Sequence, residues 1–123
     1  MSKQILDIGN CGPDHGSFSR LVREHFGATV TPVDNLDQAL QALGGGSFDL
    51  IIVNRLLDRC GSEGLAVIES IKADAQFSDI PLMMVTNYAD HQELAQNAGA
   101  VLGFGKSSLN APETVELLRT YLA

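Results

Sequence analysis

No apolar run in this sequence approaches the roughly 20 residues of a membrane-spanning helix. Met1-Ser2-Lys3-Gln4 is not followed by a long apolar segment, so no secretory signal is expected. Basic residues are scarce: 8 Lys and Arg stand against 15 Asp and Glu, for a formal net charge of -7 and a pI near 4.7. An acidic surface repels phosphate backbones, which argues against direct nucleic-acid binding. The two cysteines, Cys11 and Cys60, do not make a disulfide framework, and free thiols in a reducing compartment are expected. What the chain does have is apolar content of 45%, enough for a real core in a single domain over residues 1–123. Together these features imply a soluble cytoplasmic domain.

The strongest local signal is Phe48-Asp49-Leu50-Ile51-Ile52-Val53-Asn54. Its unbroken apolar centre reads as a strand buried on both faces. Gly44-Gly45-Gly46-Ser47 marks a turn before it, and Asn54 falls at its carboxyl end, where parallel sheets place their ligand crevices. Four further strands are predicted: Ile5–Ile8, Thr29–Val33 at a sheet edge because of Pro32, Ile80–Thr86, and a glycine-softened Ala100–Gly105.

Helices alternate with them. One is predicted from about Ser17 to Phe26, opened by a glycine-rich loop over residues 9–16 and stopped by Gly27. The next is capped by Asp34 or Asn35 and carries Leu36, Ala39, Leu40 and Leu43 on one stripe. Others run from about Glu63 to Asp74, from Asp90 to Ala98, and from Ala111-Pro112 to the end of the chain, where no output domain is expected. Five strand-helix alternations imply an α/β doubly wound sheet of parallel strands with right-handed crossovers.

The order of three segments resembles the response-regulator receiver domains of two-component systems. Residues 48–54 are similar to the strand that leads to the phosphate-accepting Asp. Asp79-Ile80-Pro81-Leu82-Met83-Met84-Val85-Thr86 is similar to the strand that ends in a Thr or Ser switch residue. Ala98-Gly99-Ala100 followed by Phe104-Gly105-Lys106 is similar to the segment that ends in the family's Lys. The resemblance implies a flavodoxin-like receiver fold of five strands in order 2-1-3-4-5. It further implies signal transduction by protein contact, with a histidine kinase, another receiver or a signalling regulator as partner. The implied contact face, on helix four, strand five and helix five, carries Tyr88, His91, Gln92, Gln96, Lys106 and Glu116.

The chemistry that the family performs needs an attacking carboxylate, neighbouring carboxylates that hold Mg²⁺, and a Lys and a hydroxyl for the phosphoryl oxygens. This chain has Asn54 at the acceptor position and Gly9-Asn10 in place of the acidic pair, while Thr86 and Lys106 remain. Ser107 replaces the Pro after the Lys, Gly103 stands at the aromatic switch position, and the loop after Asn54 is about two residues longer.

The expectation is therefore a pseudo-receiver: a binding module, not an enzyme, with no metal and no cofactor. Two alternatives stand beside it. One is a working phospho-receiver using another acid such as Asp58; the other is a small-molecule binder on a flavodoxin-like scaffold. Lys106 is expected either to reach the Asn54 amide or to extend into solvent. Asp7, which interrupts an apolar strand, needs a partner such as Lys3 or an Arg. A zinc site at Cys11, Cys60 and His15 has too few ligands.

Overall fold

The computed structural model describes residues 2–123. Strands β1 (Gln4–Ile8), β2 (Thr29–Val33), β3 (Leu50–Asn54), β4 (Leu82–Val85) and β5 (Val101–Phe104) form one sheet in the order β2-β1-β3-β4-β5. All four pairings are parallel, as the alternation of elements predicts. Helices α1 (Gly12–Phe26), α2 (Leu36–Gly45), α3 (Gly64–Lys72), α4 (Ala89–Asn97) and α5 (Pro112–Leu122) make the crossovers and the closing element, and a 3-10 turn spans Lys106–Ser108. Among the described residues no helix is long and apolar enough to cross a membrane.

Strand β3 lies in the middle and all five of its residues are buried. Its alternating side chains feed two cores. On one face Ile51 and Val53 pack with Leu6, Ile8, Leu82 and Met84 beneath Leu43 of α2, Ile68 of α3 and Ala95 of α4. On the other, Leu50 and Ile52 pack with Ile5, Met83 and Val85 beneath Phe18 and Val22 of α1 and Leu118 of α5. Phe18 and Phe104 stack with centroids 5.7 Å apart across this second core. β2 is an edge strand whose Pro32 is exposed, so the missing N–H costs the sheet nothing there.

The expected helices differ from the observed ones chiefly in α1. It begins at Gly12, not near Ser17, because Pro13 and Asp14 form a favourable first turn. Residues 12–16 are therefore helix, and only residues 9–11 connect it to β1. Asn35 does cap α2, its Oδ1 accepting from the Gln38 N–H at 2.9 Å.

Gln92 also departs from expectation. It is buried, not on the outer face of α4. The β4–β5 pairing shifts register between Met83 and Val85, which leaves backbone groups without ladder partners. The Gln92 amide serves them: Nε2 donates to the Met84 carbonyl at 2.9 Å, and Oε1 accepts from the Gly103 N–H at 2.9 Å. A Cβ at Gly103 would lie 2.2 Å from the Met84 oxygen, so this strand crossing requires glycine where the receiver pattern has an aromatic.

Candidate functional site

The carboxyl ends of β3 and β4 open into a cavity of about 240 Å³ lined by Asn54, Arg55, Leu56, Val85, Thr86, Asn87, Tyr88 and Lys106. This is the crevice expected at the carboxyl edge of a parallel sheet. No carboxylate lines it. Arg55 lies over the ring of Tyr88, 5.4 Å from its centroid, at one side of the opening.

Asn54 is buried and its side chain is turned onto its own loop. Nδ2 donates to the Leu56 carbonyl at 2.8 Å and to the Gly9 carbonyl at 3.4 Å, while Oδ1 accepts from the Arg55 N–H at 3.2 Å. The amide thus ties β3, the start of the following loop and the end of β1 together. Both kinds of atom are in use, which only an amide can supply: a carboxylate has no hydrogen for the two carbonyls.

Gly9 has φ +80°, and a Cβ there would lie 2.4 Å from Leu57 Cγ. Leu57, carried by the longer loop, is buried and occupies the space that a side chain at position 9 would need. The loop is held against β1 by the Asp58 N–H, which donates to the Gly9 carbonyl at 2.8 Å. Asp58 itself is exposed and does not line the cavity.

Thr86 lines the cavity, and its Oγ1 accepts from the Tyr88 N–H at 3.2 Å. Asn87 fixes the opposite wall: its Oδ1 accepts from the Ser107 N–H at 3.1 Å and hydroxyl at 3.0 Å. Lys106 neither donates to Asn54 nor extends freely into solvent. Its ammonium pairs with the Asp14 carboxylate at the first turn of α1. That pairing, then a hydrogen bond from Cys11, holds the Asp14 carboxyl below the usual range.

Asn10 does not line the Asn54 cavity. It lines a separate, water-sized cavity of about 30 Å³ with Asp14, Phe18, Phe104 and Lys106. Its Nδ2 donates to Asp7. Asp7 is 1% exposed, and its partners are Asn10 and His15, not Lys3 or an Arg. His15 Nδ1 sits 2.8 Å from Asp7 Oδ2. Burial pushes the Asp7 carboxyl up, against the opposing pull of the Asn10 and His15 hydrogen bonds. Cys11 and Cys60 are both free thiols, and the Ser62 hydroxyl lowers the pKa of the exposed Cys60.

The donor set does not fit a Mg²⁺ ion. The ion prefers hard anionic oxygens in octahedral array. Position 9 has no room for a side chain, the Asn54 oxygen accepts a backbone N–H, and Asn10, whose Nδ2 holds Asp7, offers only its buried, unpartnered and uncharged Oδ1. Among the described residues no three His, Cys, Asp or Glu gather as a metal site.

The flavodoxin-like arrangement of these elements is the fold of response-regulator receiver domains. The signal receiver domain of a DNA-binding response regulator from Colwellia psychrerythraea superimposes with a TM-score of 0.81 at 19% identity, covering 97% of each chain. The chemotaxis response regulator CheY4 of Vibrio cholerae gives 0.76 at 17% identity, over 99% of this chain and 100% of its own. A response regulator receiver protein from Pseudomonas putida gives 0.77 at 14%, over 98% of each. At such identities the likeness establishes the fold. No protein-family model and no curated protein matches the sequence.

Proposed function

We propose that the chain is a single receiver-like domain, of the response-regulator kind, that signals by protein contact and does not take a phosphoryl group at position 54. The observation that carries this reading is the Asn54 amide, whose donor and acceptor atoms both hold backbone groups of β1 and the β3–α3 loop. The position that would carry a nucleophile has become a structural clamp. Gly9 and Asn10 stand as the degenerate acidic pocket, one crowded by Leu57 and the other uncharged, with its Nδ2 committed to Asp7. Thr86 and Lys106 are the retained switch and phosphate-contact positions, but the Lys106 charge is neutralised by Asp14.

A protein partner, such as a histidine kinase, another receiver or a signalling regulator, fits an acidic domain better than nucleic acid does. Exposed Tyr88 and Leu94 on the α4 side and Leu102 on β5 supply apolar anchors for it. His91, Gln96, Lys106 and Glu116 supply the polar surroundings, with Gln92 withdrawn into the core. The Asp58 alternative is not favoured, because that carboxylate does not line the cavity that holds Thr86 and Lys106.

The test is incubation of the protein with acetyl phosphate and Mg²⁺, followed by intact mass. The expected result is no alkali-labile phosphoryl adduct. A stoichiometric adduct of that kind, mapped to residues 54–58, would overturn the reading.

A further inference from the structure

Asp7 and His15 form a dyad that the Asn54 cavity does not include. Asp7 extends from β1 into the core beneath α1, and His15, in the second turn of α1, reaches down to it. In the ion-paired form of this contact Asp7 is the acceptor, and the hydrogen of the bond belongs to His15 Nδ1. With that hydrogen on Nδ1, the Nε2 lone pair of the neutral ring is free. Among the described residues Nε2 has no hydrogen-bond partner, it is not buried, and the side chain is 24% exposed. The approach is open as well. Gly12, three residues before His15, and Gly16, directly after it, are exposed and have no atom near the place of a Cβ.

A buried carboxylate bonded to one imidazole nitrogen orients the ring and leaves the other nitrogen facing outward as the reacting one. The remaining histidines lack this arrangement. His25 lies against Phe26 at 6.0 Å and His91 against Tyr88 at 5.9 Å, measured between ring centroids. The nearby acid, Asp14, is paired with Lys106, so an incoming anion does not meet a bare carboxylate there.

We propose that His15 is a phosphoryl-accepting residue, taking a phosphoryl group on Nε2 from a phosphoramidate-type donor such as a phosphohistidine of another protein. The Nε2 lone pair forms the new N–P bond. The donor's N–P bond breaks, its nitrogen keeps that electron pair, and that nitrogen takes a proton from solvent. The ring gains positive charge, which Asp7 stabilises through the Nδ1 hydrogen. Asp7 is a positioning residue here, since it touches the ring and not the phosphoryl group. This activity goes beyond the reading above, which concerns position 54.

The experiment uses the intact chain and potassium phosphoramidate, read by intact mass over time. One phosphoryl group is expected, labile in acid and stable in alkali. It should be absent in His15→Gln and retained in His25→Gln and His91→Gln. Asp7→Asn should slow its formation about tenfold or more while the NMR spectrum stays dispersed. An acid-labile label that persists in His15→Gln, or a rate unchanged in Asp7→Asn, overturns the proposal. Absence of any label overturns it and leaves the reading of position 54 standing. An alkali-labile label in its place overturns both.

Discussion

Gly9→Ala should destabilise the domain by about 2–5 kcal/mol, the sum of a backbone cost and a packing cost. Gly9 sits at φ +80°, where an L side chain costs about 1–2 kcal/mol. The added Cβ would meet Leu57 Cγ at 2.4 Å, Cβ at 2.8 Å and Cα at 2.9 Å. A rotamer change can withdraw the first atom but not the last, so the loop backbone must shift. Overpacking of this kind costs about 1–3 kcal/mol. Against a total stability on the order of 5–15 kcal/mol, the loss is large. Urea denaturation measures it as a fall in midpoint with the slope unchanged. Gly16→Ala is the control: its site is open and helical, so that variant should be unchanged or more stable by up to about 1 kcal/mol. Leu57→Ala should relieve part of the clash, making the double variant more stable than additivity allows. A Gly9→Ala variant within about 0.5 kcal/mol of the parent would refute the reasoning, since that is the effect of an ordinary surface change. The same geometry bars Gly9→Asp as a way of rebuilding an acidic pair.

Gln92→Leu should cost about 2–5 kcal/mol by urea denaturation, because it strands the Met84 carbonyl and the Gly103 N–H at the register shift; a neutral effect would mean that the strands pair without it. The two carboxyls of the β1–α1 region should give opposite pH trends. Asp7, whose folded pKa is raised, favours folding below the ordinary carboxylate value and loses that contribution as pH rises, so Asp7→Asn should gain on the parent from about pH 4 upward. Asp14, whose folded pKa is lowered by Lys106, stabilises above the ordinary value and loses that contribution as pH falls, so Asp14→Asn should lag the parent at neutral pH, by under about 1 kcal/mol given its exposure, and match it in acid. Under reductant two free thiols should titrate, and Cys60, exposed and bonded to Ser62, should be alkylated before the half-buried Cys11; the reverse order would contradict the loop arrangement.

The sheet was readable from the chain because the apolar runs at 50–53 and 82–85 are short, unbroken and separated by helical periodicity. Nothing in that pattern reveals the side chains that replace backbone pairing. Gln92 looked like a surface residue because its helix is mostly polar, yet its amide fills a gap created by the β4–β5 register shift. Leu57 looked like loop, because the contact that buries it is with a residue nearly fifty positions earlier. Asp7 was visibly anomalous in an apolar strand, but its partner depended on where α1 begins. Once Pro13-Asp14 is recognised as a first helical turn, His15 falls one turn inside the helix and above β1. The position of Lys106 is legible in the sequence but its partner is not, for the same reason: Asp14 belongs to that early turn.

The most direct measurement of the central claim is phosphorylation of Asn54→Asp by acetyl phosphate with Mg²⁺, read by intact mass on protein shown by NMR to be folded. The substitution restores a nucleophile but sets its oxygens against the Leu56 and Gly9 carbonyls, with no acidic pair to hold the ion and Lys106 bound to Asp14. The account predicts little or no alkali-labile adduct in this single variant. Full, Mg²⁺-dependent phosphorylation at position 54 would contradict it, because one atom would then be all that separates this cavity from a working acceptor site.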